Sequence, residues 1–553
     1  MDRPRRSDTA AGHAVSGLGL VLAAAFFAAS LTPSLMPREA VMQGVLGGLV
    51  AAIGHELGGL LVWTWQFLGL PLPRPAKRRS TLIGSAALAL LICGYGLFRA
   101  DAWQNAVRRA VELPPVPEGP PATIAVTGLA TFLLLWIVAR GFALMRRRLT
   151  RWTNRIVPPR IGLALGFTLT LFLFWALIDG VLIRRALNAA DASFEAADVL
   201  IEPEIPRPED PQKTGSSSSL IKWGEMGRWG RSFVSRAPTA SEIAAFSGPG
   251  AMDPVRVYVG RRSAETAQAR ADLALKELIR QEGFARKALV VVVPVGTGWM
   301  DPGGHDTLDF IMGGDVATVA VQYSYLTSVL SLWVAPEYGI DQARILFDTI
   351  YEYWLTLPED RRPRLFVHGL SQGAFNSQQT LPILDILAAP IDGAVWAGSP
   401  FLSRFWQDVR NGRLRDSPAW RPRFGNGSLV RVANQQGGLE QFAAPWGPIR
   451  LVFLQYGSDA IVNFTWSSGL RRPDWMQEPR APDVAPEFRW FPVVTMFQLA
   501  LDMAISLKVP GYGHYYIARD YVDAWAAAVD PEGWAPARAA TLKAIFDARP
   551  PPF

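Results

Sequence analysis

Cysteine is almost missing from this chain. Among 553 residues there is one, Cys93, and it lies inside an apolar run. No intrachain disulfide framework can form, and the shortage leaves the compartment open, because many envelope proteins also lack disulfides. Charge is scarce as well. Asp, Glu, Lys and Arg make up 19% of the residues while half are hydrophobic, against about 25% charged in an ordinary soluble protein. That deficit points to a membrane part. The net charge of +7 does not read as nucleic-acid binding, because the basic residues cluster beside apolar runs rather than on one polar face. No metal or cofactor motif is expected either. The one candidate, His55-Glu56, continues as Leu-Gly-Gly and so lacks the second histidine of a zinc-protease helix. Inside a membrane segment the pair reads as an interhelical polar contact or a headgroup-level position.

Long apolar runs fill the first third: Ala14–Leu31, Val41–Leu70, Leu82–Phe98, Ile124–Leu144 and Ile161–Ile183. Each approaches or exceeds the roughly 20 residues that cross a bilayer, so about five helices are expected over residues 1–185. A cleaved signal peptide does not account for runs that continue so far. Arg3, Arg5 and Arg6 precede the first run. Arg74, Lys77, Arg78 and Arg79 follow the second, and Arg146, Arg147, Arg148, Arg151, Arg155 and Arg160 follow the fourth. The intervening loops are poor in net charge. Positive loops lie inside, which makes the N-terminus cytoplasmic in an inner (plasma) membrane and places whatever follows Ile183 outside. Arg184 and Arg185 oppose this, and a different crossing number for 41–70 would reverse it.

Residues 186–250 change character. Ile-Glu-Pro-Glu-Ile-Pro-Arg-Pro-Glu-Asp-Pro and Ser216–Ser219 mark a linker. From 251 to 553, strand-like runs alternate with helical ones. Strands are expected at Val255–Val259, Ala288–Val293, Val316–Tyr323, Arg364–Val367, Gly393–Trp396, Leu429–Val432 and Arg450–Gln455. Continuous apolar runs suit strands buried on both faces, and the alternation implies an α/β fold with a doubly wound, mainly parallel sheet.

Leu365 to Ala374 has the form of a nucleophile elbow: a strand, Gly369-Leu370-Ser371-Gln372-Gly373, then a helical pattern. A serine at so sharp a turn needs neighbours without Cβ atoms. It also needs a base, and the base an orienting acid. In the order Ser, acid, His, His514 fits, whereas His305 lies too early and His368 too close to the elbow. Asp459 directly follows an apolar strand. Its rivals Asp474, Asp483 and Asp502 lie in proline-rich loop or helical pattern. Two N–H donors are needed for an oxyanion. Gln372 supplies one, and the loop Pro294-Val-Gly-Thr-Gly-Trp299 supplies the other from Thr297 or Gly298. The apolar stretches Tyr323–Val334 and Trp490–Leu507 flank this machinery. The second lies between Asp459 and His514, so it cannot cross the membrane once, and it reads as a cap, a buried helix or an interfacial helix.

Ser30-Leu-Thr-Pro-Ser-Leu-Met-Pro-Arg38, Val295-Gly-Thr-Gly-Trp-Met-Asp-Pro302, Val321-Gln-Tyr-Ser-Tyr325, the elbow and Arg472-Pro-Asp-Trp475 together resemble a bacterial family of membrane-anchored α/β-hydrolases. Its members join an N-terminal multi-span domain to a hydrolase domain. The resemblance covers nearly the whole chain and implies a serine-hydrolase fold and membrane residence; it supplies no substrate. The elbow alone is similar to that of cutinase-like esterases. The expectation is a serine hydrolase of esterase or lipase type acting on a lipid or other acyl ester. An envelope acyltransferase using the same acyl-enzyme, and a non-catalytic membrane-coupled binding or signalling module, are the alternatives.

Overall fold

The computed structural model describes residues 17–70, 75–116, 121–177, 198, 200–202, 204–326, 336–381, 386, 388–442 and 444–550. Two compact units emerge: Met1–Arg184 with Phe464–Ser506, and Arg185–Asn463 with Leu507–Phe553.

The first unit contains five N-terminal helices: α1 (Gly17–Ser30), α2 (Ala40–Phe67), α3 (Pro75–Ala110), α4 (Pro121–Thr153) and α5 (Pro159–Trp175). Among the described residues α2, α3 and α4 are long and apolar enough to cross a membrane, while α1 and α5 are shorter apolar helices. The runs expected for these two extend past the described residues, at 14–16 and 178–183. Many outward side chains are bare hydrocarbon, including Phe67, Leu90, Leu91 and Phe98, as lipid-facing helices require. Small residues let the helices close on one another. A Cβ on Gly48 of α2 would lie 2.3 Å from the Gly128 carbonyl of α4.

Residues 464–506 belong to this unit, although the sequence reads as one unbroken domain from 251 to the end. The reason is a buried polar lock. Helix Val494–Ile505 presents Asp502, which no solvent reaches. Its carboxylate accepts from Arg38 Nε at 3.0 Å, the Leu35 N–H at 2.9 Å and Ser34 Oγ at 3.1 Å. Gln498, one helical turn away, donates to the carbonyls of Ser30 and Thr32. Leu46 and Val50 of α2 pack against Val494. The apolar run at Trp490–Leu507 is therefore a buried helix clamped to the Ser30–Arg38 turn. Asp502, a rival acid by sequence, is the counter-ion of Arg38.

In the second unit seven strands form one sheet in the order β1-β3-β2-β4-β5-β7-β6: β1 Val255–Val259, β2 Ala288–Val293, β3 Val316–Val321, β4 Arg364–Leu370, β5 Gly393–Ala397, β6 Val430–Ala433 and β7 Arg450–Leu454. Every pair is parallel. All six residues of β2 are buried, which explains the unbroken valine run. At the edge, Arg256 of β1 is buried too, neutralised by Asp306 at 2.7 Å and by Asp309 at 2.5 Å. Helices cover both faces, and the central strands β2, β4, β5 and β7 direct their carboxyl ends to one rim. Ligand sites of such sheets lie on that rim. The stretch expected at Tyr323–Val334 lies mostly outside the described residues.

Candidate active site

Strand β4 runs without interruption into Ser371, which sits at φ 56°, ψ −120° and caps the helix Gln372–Thr380. A non-glycine residue at positive φ is strained. Here the strain turns the chain from strand to helix within one residue and leaves Ser371 at the apex. The surrounding contacts hold it there. The Ser371 N–H donates to the Ala397 carbonyl at 3.0 Å, and the Ser371 carbonyl accepts from the Phe375 N–H at 3.0 Å. Glycine is obligatory on both sides of the apex. A Cβ at Gly369 would lie 2.4 Å from the Gly373 carbonyl carbon, and one at Gly373 would lie 2.0 Å from the Val293 oxygen. The second contact also sets the helix N-terminus against the end of β2.

Asp459 follows β7 and is fully buried. One oxygen accepts from the N–H groups of Ile461 and Val462 at 2.8 and 3.3 Å. The other accepts from His514 Nδ1 at 2.6 Å and from the Tyr516 hydroxyl at 2.9 Å. Four donors on one carboxylate fix its position. The imidazole is thereby held with a proton on Nδ1, leaving Nε2 as the basic nitrogen. His514 Nε2 is itself buried and without a hydrogen-bond partner among the described residues. The ring packs over Gly398, where a Cβ would lie 2.6 Å from Cε1, and Gly398 follows the Ala397 whose carbonyl holds the Ser371 N–H. His514 and Ser371 thus converge on the same residue pair, Ala397–Gly398, at the end of β5. The Gly513 N–H donates to Ser458 Oγ at 2.9 Å, tying the histidine loop to the acid loop.

The other two histidines of this unit are core residues. His368, on β4, directs Nδ1 to the Val395 carbonyl at 2.7 Å, and its ring meets His305 edge-on at 5.4 Å. Burial lowers its pKa to about 4 and pushes that of His305 well down, so both are neutral. Asp474 and Asp483 lie with Asp502 in the other unit.

The loop after β2 narrows the choice of second oxyanion donor. Gly298, at φ +87°, donates its N–H to the Val295 carbonyl at 2.8 Å, which closes a turn and removes it as a donor to substrate. The N–H of Thr297, a central residue of that turn, donates to no described residue. Gln372 is the first residue of the elbow helix, directly after Ser371.

Sequence reading missed two neighbours. Tyr516 touches the acid, and its position two residues beyond His514 was the available signal. Asp301 is the other: it is buried, caps the helix Pro302–Ile311 by accepting from the Gly303 N–H at 2.9 Å, and lines a cavity together with Tyr515 and Tyr516. Burial raises its pKa to about 7, partly offset by that Gly303 N–H. That cavity, of about 300 Å³, is also walled by Pro510, Arg519 and Arg549; neither Ser371 nor His514 lines it.

Residues 255–542 match the model of an alpha/beta-hydrolase family, and residues 31–238 match the model of an alpha/beta-hydrolase family N-terminus. The chain belongs to this alpha/beta-hydrolase family. The first match spans the whole sheet and reaches past His514, and the second takes in α2 to α5 and runs to residue 238. The stretch expected as a linker, 186–250, is in its described part a folded portion of the hydrolase unit, because Ile221, Trp223, Met226 and Phe233 bury their side chains in the core beside the sheet. The all-parallel sheet and the apolar helices before it are those of a membrane-associated hydrolase. No curated protein and no solved structure matches the chain.

Proposed function

We propose that this hydrolase is a membrane-anchored serine esterase of lipase type, working through Ser371, His514 and Asp459. The observation that carries the reading is the 2.6 Å bond between Asp459 and His514 Nδ1, formed beside a serine at the apex of a strained elbow.

In the reaction, Ser371 Oγ attacks the acyl carbonyl while His514 Nε2 takes its proton. Asp459 keeps the imidazole oriented and balances the imidazolium charge as it forms. The carbonyl oxygen, now negative, accepts from the N–H groups of Gln372 and Thr297. His514 then returns the proton to the leaving alcohol, and an acyl-Ser371 remains. Water enters, loses a proton to His514 and releases the acid. No cofactor or metal takes part. The substrate is a lipid or another acyl ester, because apolar helices hold the enzyme where such esters concentrate. We place the N-terminus in the cytoplasm and the catalytic unit outside, on the inner membrane, from the distribution of arginine.

Labelling with a fluorophosphonate probe tests the chemistry. The native chain labels and Ser371→Ala does not; absence of Ser371-dependent labelling in folded protein overturns the proposal. Trailing protease added to intact spheroplasts tests the side: digestion of the catalytic unit is expected, and protection reverses the orientation.

A further inference from the structure

The oxyanion loop is held by a second set of side chains that the reaction itself does not use. Gln322 lies just past β3, in the Val321-Gln-Tyr-Ser-Tyr325 stretch, and is wholly buried. Its Nε2 donates to the Thr297 carbonyl at 3.1 Å, to the Ser324 carbonyl at 3.2 Å and to Asp198 Oδ2 at 3.4 Å. Its Oε1 accepts from the Arg261 N–H at 3.1 Å. Three acceptors on one end and a donor on the other leave the amide one orientation. From β1, the Tyr258 hydroxyl donates to the next carbonyl, that of Gly298, at 2.8 Å. Both side chains press on Gly298, where a Cβ would lie 2.4 Å from the Tyr258 oxygen and 2.8 Å from Gln322 Cγ.

The turn itself is tightly wired. Val295 N–H donates to the Trp299 carbonyl at 3.1 Å and Gly298 N–H to the Val295 carbonyl at 2.8 Å. The Thr297–Gly298 peptide is therefore gripped at both ends, its N–H by Val295 and its carbonyl by Gln322. Rotation of that peptide would swing the adjacent Gly296–Thr297 peptide, whose N–H is the one left open. A buried amide serving only to satisfy itself needs no consecutive partner; here two carbonyls in succession are pinned, one from β1 and one from the segment just past β3.

We infer that Gln322 and Tyr258 are positioning residues that aim the Thr297 N–H at the oxyanion. The inference rests on the assignment of Ser371 as nucleophile and Thr297 as donor. Donors of this kind act only when their direction is set before the charge develops, so loosening the loop costs rate rather than binding.

The test uses the full chain in detergent, with Gln322→Met, which keeps length and loses the donors, and Tyr258→Phe, which removes a single hydroxyl. Two readouts are taken: the rate constant and the end point of fluorophosphonate labelling, and kcat and KM on a p-nitrophenyl acyl ester. Each variant is expected to lose about tenfold to a hundredfold in labelling rate constant and in kcat. KM stays within about twofold, the labelling end point is complete and the pH profile of kcat/KM keeps its midpoints. A misfolded fraction would lower the end point and leave the rate constant of the remainder native; that result in both variants overturns the inference, as do native rates throughout. Native protein that fails to label at all overturns the underlying assignment of Ser371 instead.

Discussion

Replacing Asp502 with asparagine removes the counter-ion of a guanidinium to which no water has access. Both side chains of the Arg38–Asp502 pair are 0% exposed, and their closest approach is 3.0 Å. Breaking such a pair from one side leaves an uncompensated buried charge, at about 3–5 kcal/mol. Asparagine still offers one oxygen to the Leu35 N–H or to Arg38, which brings the expected loss to the lower end of that range. In a unit of this size each kcal/mol shifts the midpoint by about 2–4 °C, so thermal unfolding in detergent should fall by roughly 6–12 °C. The consequence reaches Asp459 and His514 through the chain itself. The segment leaves the hydrolase unit after Asn463, just past Asp459, and returns at Leu507, just before His514. Asp502→Asn should therefore label more slowly with fluorophosphonate even where it remains folded. The double variant Arg38→Met, Asp502→Leu, which removes both charges, should regain most of the stability. An unaltered midpoint in Asp502→Asn, or a double variant less stable than the single, refutes the lock.

Asp459→Asn should lower kcat by about three to four orders of magnitude, since an amide does not hold the imidazole in the working tautomer; a loss below tenfold on an acyl ester would exclude Asp459 as the acid. Tyr516→Phe removes one of four donors to that carboxylate and should cost about 1–2 kcal/mol of stability, measured by thermal unfolding. Gly373→Ala drives a Cβ to 2.0 Å from the Val293 oxygen, and either the elbow or β2 must shift; overpacking of this kind costs about 1–3 kcal/mol, and Ser371 labelling should be lost or strongly slowed. Asp301 contributes to the pH dependence, together with Asp309 and Asp520, whose pKa values burial raises to about 7 and about 6. The folded pKa of Asp301 is raised to about 7, chiefly by burial, above the usual Asp value of about 3.9 in the unfolded chain. The folded state holds the proton more tightly, so this contribution is full below about pH 4 and is lost as pH rises through about 7. Asp301→Asn should flatten that slope and gain stability relative to the native chain at pH 8; an unchanged slope in thermal unfolding between pH 5 and 8 contradicts it.

Much of the hydrolase unit could be read from local pattern. The runs at Val255–Val259 and Ala288–Val293 became strands with those very ends, because a strand buried on both faces must be continuously apolar and such a run stands out. Chain order also singled out His514 and Asp459, since only one histidine follows the elbow at a distance and only one acid directly follows a strand. Boundaries were softer where polar residues belong to the element. Strand β4 continues through His368 to Leu370, because the interior supplies an acceptor for the imidazole and a neutral histidine is tolerated in the core.

What sequence alone determined was the set of segments whose identity is written in their own composition: the apolar helices, the valine strands and the glycine-flanked serine. Tertiary structure decided the matters that depend on partners distant in the chain. It assigned 464–506 to the helical unit, because Asp502 finds Arg38 across more than four hundred residues. It took Gly298 out of the pool of oxyanion donors, because a turn hydrogen bond claims its N–H. It brought Tyr258 from β1 and Gln322 from just past β3 onto the same loop. None of these has a local signature, since a hydrogen bond is specified by where two groups meet and sequence spacing carries no record of that meeting.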